Sequence, residues 1–250
     1  MLGSLAASGV GAALVAGGYL YAGLWPDSQI FGRTLVAGDD PNEIALTYDD
    51  GPNDGCTERL LDVLARHEAR ATFFLIGRFA RERPALVRRI RDAGHVVGNH
   101  TWTHPKLMFH SAERARDELT ATNAALEDIL GEKIEYFRPP YGARHPGVLR
   151  AARSMGLVPV LWNVTGYDWK PISAEALLRR LENGIRRNQR RGCGSNLLLH
   201  DGGDTGIGAD RSHTIAATDA LLKAWRGKAR FVTVAECSSV IASVPSIQQG

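Results

Sequence analysis

Short β-type runs alternate with amphipathic stretches along nearly the whole chain, and that rhythm restricts it to parallel βα units. The spacing predicts strands at 44–48, 72–76, 95–99, 134–137, 158–162, 196–199 and 231–234. Between them, apolar residues recur at helical period over 57–67, 84–93, 112–130, 146–155, 174–187 and 214–225. Thr57 and Ser173 read as N-caps, Pro84 and Pro146 lie near first turns, and Gly94, Gly131 and Gly156 follow helix ends. Such units wind into a barrel or spread as an open sheet. No G-x-G-x-x-G follows the first strand, so the dinucleotide-binding fingerprint is missing.

The residues that follow the strands are polar. Asp49 and Asp50 end the first, His100 and His104 the third, Arg138 and Tyr141 the fourth, Asp168 the fifth and His200 the sixth. In a βα barrel these positions converge on the C-terminal rim, where such folds carry their chemistry.

With 250 residues, of which 44% are hydrophobic and 23% charged, the chain can bury one large core. A net charge of +3 gives no argument for nucleic acid. The arginine-rich stretches 78–91 and 186–191 interleave with apolar helix positions, the pattern of solvated helix faces. Cys56, Cys193 and Cys237 lack metal-site spacing and set up no disulfide framework, although one bridge can form among them.

Residues 2–26 contain no charged side chain, long enough for a bilayer span, and Tyr19, Tyr21 and Trp25 gather near the end as aromatics do at a membrane interface. The favoured reading is an uncleaved hydrophobic anchor, ahead of a cleaved signal peptide and of a soluble extension. The domain plan is an anchor or signal segment at 1–26, a linker at 27–42, a catalytic domain at 43–240 and a tail at 241–250.

His100 and His104, four apart in "GNHTWTHP", can face one point and form a metal pair. Thr101 occupies the place where a zincin carries its Glu, which argues against that class of metalloprotease. Two His and one Asp make an open metal site with room for water and substrate. Because neighbours on a strand face opposite ways, the Asp49–Asp50 pair can divide its work. One completes the metal site, and the other takes a proton from water activated there. On its own, "DDGP" is equally a polar turn.

"TYDDGP", "HTWTH", "RPPYG", "DW" and "LLH" stand in the order and spacing of the five motifs of the polysaccharide deacetylases, and 44–236 resembles that family's NodB-homology, carbohydrate esterase family 4 domain. The resemblance implies an α/β fold, a distorted (β/α)7 barrel similar to a TIM barrel. It also implies a divalent metal, zinc before cobalt, manganese or nickel, and removal of acetyl groups from polysaccharides such as peptidoglycan or chitin. By that resemblance Asp50, His100 and His104 are metal ligands, Asp49 the base and Arg138 its orienting partner. Tyr141 supplies an oxyanion N–H, His200 is the acid with Asp168 as its carboxylate, and Trp169 and Leu198 border the acetyl group. One position departs from the family, whose fourth motif commonly reads D-x-x-D-W: here Thr165 replaces the first Asp. The partners so implied are an acetylated glycan and a membrane, at the cell envelope facing outward or in a secreted form. A non-catalytic glycan-binding module is the alternative, and a pseudoenzyme of that kind is expected to lose Asp49 or His200. A non-haem Fe(II) oxygenase also uses two His and a carboxylate but has no need of Asp49.

Overall fold

The computed structural model describes residues 15–238. Most of the segment 1–26 read as an anchor, and the whole tail 241–250, lie outside the described residues. A helix at 15–24, α1, leads into a loop and then into the central strand β1, Glu43–Gly51. Every residue of β1 is buried, as befits a parallel strand covered on both faces. On one side β1 pairs with β7 (Ser195–His200); on the other it pairs with β2 (Thr72–Leu75) along its C-terminal half and with β8 (Arg230–Val232) along its start. Beyond β2 come β3 (Val96–Asn99), β4 (Tyr136–Phe137) and β5 (Val158–Pro159), and beyond β7 comes β6 (Val164–Thr165). All pairings are parallel, so the sheet curls as a distorted (β/α)7 barrel, and no ladder joins β5 to β6 among the described residues.

The helices are α2 (Cys56–Arg66), α3 (Gly77–Glu82), α4 (Pro84–Asp92), α5 (Ala112–Leu130), α6 (Pro146–Ser154), α7 (Ala174–Arg190) and α8 (Ser212–Trp225). Leu60 and Leu64 of α2, Leu119 and Leu126 of α5, Leu177 and Leu181 of α7 and Leu221 of α8 are fully buried in one cluster with Leu46, Phe73 and Leu197 of the strands. Burying each such leucine stabilises the fold by roughly 1.5–3 kcal/mol before entropy is counted. Ser111 caps α5 by accepting from the Arg114 amide, and Gly131 ends it in the left-handed region. Ser173 caps α7 in the same way.

Three local expectations change. Thr57 is not the cap of α2, which begins after Gly55; its hydroxyl is drawn instead into a buried bond with Asp201. The strand expected over 158–162 shortens to Val158–Pro159, although Val160 still donates to the Phe137 carbonyl of β4. On its opposite edge Leu35 donates to the Pro159 carbonyl and accepts from the Leu161 amide, a parallel bridge from the 27–42 segment, and the chain next enters a ladder at β6. Asp168 therefore follows β6. The cysteines are all free, with Cys56 and Cys237 buried.

Candidate active site

The end of β1 breaks the alternation that a strand normally imposes. Asp49 pairs with Phe74 but Gly51 with Leu75, so Asp50 is an extra residue in the register, and its φ of 71° is left-handed. This bulge overrides the opposite facing expected of neighbours. Both carboxylates approach one histidine, with Asp49 Oδ2 at 3.7 Å and Asp50 Oδ1 at 3.5 Å from His100 Nε2.

His100 and His104 are brought together by a tight loop in which Thr101 and His104 also have positive φ, at 66° and 62°. Non-glycine residues adopt that conformation only when their surroundings hold them there. The holding group is Glu118, buried on α5: one carboxylate oxygen accepts from the amides of Trp102 and Thr103, each at 2.8 Å, and the other from the Thr103 hydroxyl. Asn99 Oδ1 accepts from the Thr101 amide.

The donor set fits a cation. His100 Nδ1 lies 2.8 Å from the Arg138 carbonyl, so the ring proton belongs there and Nε2 offers its lone pair. His104 Nε2 is 3.2 Å from His100 Nε2 and 3.1 Å from Asp50 Oδ1, which is buried without a hydrogen-bond partner. Ligands 2.0–2.1 Å from a tetrahedral centre sit about 3.3 Å apart, close to these separations. Asp50, His100 and His104 are the group of potential metal-binding side chains found among the described residues. Burial works against ionising Asp50, but the adjacent imidazoles of His100 and His104 outweigh it and hold the carboxyl well below its usual range.

Asp49 faces a different partner. Arg138, fully buried, donates from Nη1 to Asp49 Oδ1 at 2.8 Å and to Thr47 Oγ1 at 2.6 Å, and from Nη2 to the Leu161 carbonyl at 3.1 Å. Its guanidinium lies 4.3 Å from the centre of the Phe74 ring. Asn196 donates to the same Leu161 carbonyl, so both side chains hold the segment that follows β5, where no ladder joins β5 to β6. Burial pulls the Arg138 pKa down and Asp49 opposes that pull. Tyr141 follows the two prolines with a left-handed φ of 57°. Its ring packs on His104 at 4.7 Å, and its hydroxyl donates to Asp204 Oδ2 at 2.6 Å.

On the opposite wall His200 Nδ1 lies 2.8 Å from Asp168 Oδ1, while Asp168 Oδ2 accepts from the His200 amide and the Thr214 hydroxyl. Burial alone disfavours a charged His200; the Asp168 carboxylate, helped by Asp50 and Asp49, outweighs it and pushes the pKa up to about 9. Trp169 meets the His200 ring edge-on at 5.2 Å. Leu198, buried, and Thr165 complete this side of a cleft of about 770 Å³.

All ten residues singled out from the sequence thus gather in or directly around one cleft. Three functional neighbours were missed. Asp204, whose Oδ2 also lies 3.5 Å from His104 Nδ1, stood four residues past His200 in "HDGGD", a legible signal. Glu118 was visible as a carboxylate on the apolar stripe of α5 beside Ala115, Leu119 and Thr122. Asn196 carried no signal, since an Asn entering a strand is ordinary.

A family profile described as polysaccharide deacetylase matches residues 37–160. The chitooligosaccharide deacetylase of Azorhizobium caulinodans is 36% identical over 175 residues, covering 70% of this chain and 80% of that protein. Among solved structures, the Bc1960 peptidoglycan N-acetylglucosamine deacetylase superposes with a TM-score of 0.74 at 31% identity, over 82% of this chain and 92% of that one. A family 4 acetyl xylan esterase from Clostridium thermocellum, in complex with a cobalt ion, gives 0.70 at 30% identity, over 81% and 93%. The chain belongs to the polysaccharide deacetylase family.

Proposed function

We propose that the protein hydrolyses N-acetyl groups on the N-acetylglucosamine residues of a polysaccharide, peptidoglycan or a chitin-like chain. The observation that carries this reading is one cleft holding an Asp-His-His donor set, a carboxylate outside that set and a histidine–carboxylate pair across from both. A divalent cation, zinc in the first instance, held by Asp50, His100 and His104 supplies Lewis-acid polarisation of the acetyl carbonyl and makes water nucleophilic near neutral pH. Asp49, aimed by Arg138, takes the proton of the attacking water. The Tyr141 amide donates to the oxygen of the acetyl carbonyl as negative charge develops on it. His200, protonated under the influence of Asp168, gives its proton to the departing amine, and acetate and a free amino sugar leave. Leu198 and Trp169 bound the acetyl methyl.

The catalytic domain in this reading is 43–240, attached at the cell envelope through the apolar N-terminal segment and facing outward, or secreted. Val15, Leu20 and Tyr21 are exposed large apolar residues on α1, which supports contact with a membrane surface. Among the described residues no helix is long and apolar enough to cross a membrane. Retention of both Asp49 and His200 favours the enzyme over a glycan-binding module.

Acetate release from chitin oligomers, peptidoglycan and acetylxylan, with and without a chelator, tests the chemistry. Release from the first two that stops with chelation is expected; release indifferent to the chelator overturns the cation assignment. Full-length protein found wholly in the soluble fraction overturns the anchor.

A further inference from the structure

The deacetylase reading leaves one wall of the cleft without a role. Past Asn163, Trp162 and Arg187 the cleft is bordered by Leu24, Trp25, Pro26 and Asp27, a stretch that neither the five motifs nor the acetyl-binding end uses. This turn is fastened to the barrel. Arg144, fully buried, donates from Nη2 to the carbonyls of Trp25 and Ser28, at 2.9 and 2.7 Å, and from Nη1 to the carbonyl of Gly142 in the Pro-Pro loop. Its backbone amide donates to the Gly23 carbonyl at 3.0 Å. No carboxylate pairs with Arg144 among the described residues, so these carbonyls replace water around a buried cation, and displacing the turn strips them away. Gly23 lies so close to its support that a Cβ there would stand 2.7 Å from Met108 Cε and 2.8 Å from the Arg144 carbonyl oxygen.

Between these fastenings Ala22 and Ser28 are buried, whereas Trp25 is 55% exposed and edges the cleft. The Trp25 ring is stacked on Tyr21 with centroids 5.9 Å apart and planes 20° apart, so one of its faces already rests against a neighbouring ring. A large aromatic held this way beside a carbohydrate cleft offers an apolar face to the C–H face of a pyranose. Continuity with the catalytic end makes the same glycan chain the occupant.

We propose that Trp25, presented by the 22–28 turn that Arg144 clamps, is a sugar-ring platform for a glycan residue remote from the one losing its acetyl group. The proposal rests on the deacetylase reading, and it makes the N-terminal segment a determinant of preference for longer chains.

The test compares acetate release by the metal-loaded full-length protein from the N-acetylated disaccharide and pentasaccharide of chitin. In Trp25→Ala the pentasaccharide-to-disaccharide ratio of kcat/KM falls about fivefold, the scale of one aromatic contact. Gly23→Val, which lifts the turn and leaves Trp25 in the chain, lowers the ratio in the same direction, and Trp25→Phe keeps it within about twofold. Phe109→Ala, an exposed aromatic outside the cleft, leaves the ratio where it was. An unchanged ratio in Trp25→Ala and Gly23→Val, with the wild type active, overturns the platform alone; so does a Trp25→Ala defect confined to association with lipid vesicles. Wild-type protein that releases acetate from neither oligomer overturns the platform, and if it releases none from peptidoglycan either, the deacetylase reading falls with it.

Discussion

Replacing Asp168 with Asn removes the charge that keeps His200 protonated and leaves the side-chain volume unchanged. The three bonds that Asp168 accepts come from His200 Nδ1, the His200 amide and the Thr214 hydroxyl, at 2.8, 2.8 and 2.9 Å. An Asn amide can satisfy only part of that set, because its NH2 has to face a donor. With the carboxylate in place His200 titrates at about 9, against 6.5 for a histidine without partners. If the variant falls to the unpartnered value, the protonated share at pH 8 drops from roughly nine-tenths to about 3%, and turnover drops roughly thirtyfold. Burial, which favours the neutral ring, pushes the loss beyond that figure. The alkaline limb of the kcat profile should move from about 9 toward 6.5, so that activity recovers as the pH is lowered toward 6. An NMR titration of the His200 ring reads the same change directly. Thr214→Val removes a neighbouring bond but keeps the charge, and its limb should stay in place. An Asp168→Asn protein that is folded and still titrates near 9 would refute the account of His200 as an acid sustained by Asp168.

The same linkage has a stability signature. A raised histidine pKa adds stability that is fully present below 6.5 and lost as the pH rises through about 9. The melting-temperature gap between wild type and Asp168→Asn should therefore narrow above pH 9, as followed by calorimetry. Asp49→Asn should retain the cation and lose turnover, whereas His104→Ala should lose both; titration of zinc into the apoprotein beside acetate release separates them, and normal turnover by Asp49→Asn sinks the base assignment. Arg138→Met strands the buried Asp49 carboxylate and should cost about 3–5 kcal/mol in denaturant unfolding. Glu118→Gln keeps the shape but weakens three bonds to the Trp102–Thr103 turn. It should lower zinc affinity by about tenfold, the lower end of the loss seen when groups behind metal ligands are changed, and an unchanged affinity rules out Glu118 as the group that sets the histidine loop.

Much of the barrel could be read from local pattern because the forces that encode it are local. Apolar residues three and four apart place 112–130 in a helix, Ser111 and Gly131 satisfy the backbone groups at its ends, and the observed α5 spans Ala112–Leu130. The two-residue strands β4, β5 and β6 were harder to place, since so short a run has no periodicity to read and pairing partners decide its limits. Leu35 illustrates the point: nothing in its own surroundings marks it as the residue that bridges the free edge of β5 at Val160.

The site divides along the same line. Sequence alone determined that two histidines four apart, two adjacent carboxylates, an arginine and a further histidine with an aspartate would meet at the strand ends, because parallel βα connectivity carries every such end to one rim. Only the tertiary structure decided how they are used. The bulge at Asp50 turns both carboxylates toward the histidines, against the alternation a strand implies. Asp49 is singled out because Arg138 and Thr47 reach it from distant parts of the chain, and Asp50 because Oδ1 is left bare beside two imidazole nitrogens. The apolar segment at the N-terminus, read from sequence as anchor and linker, lays its 22–28 turn along the cleft once Arg144 is buried beneath it. Helix and strand follow from neighbours in the chain, whereas the charge state and duty of a side chain follow from neighbours in space.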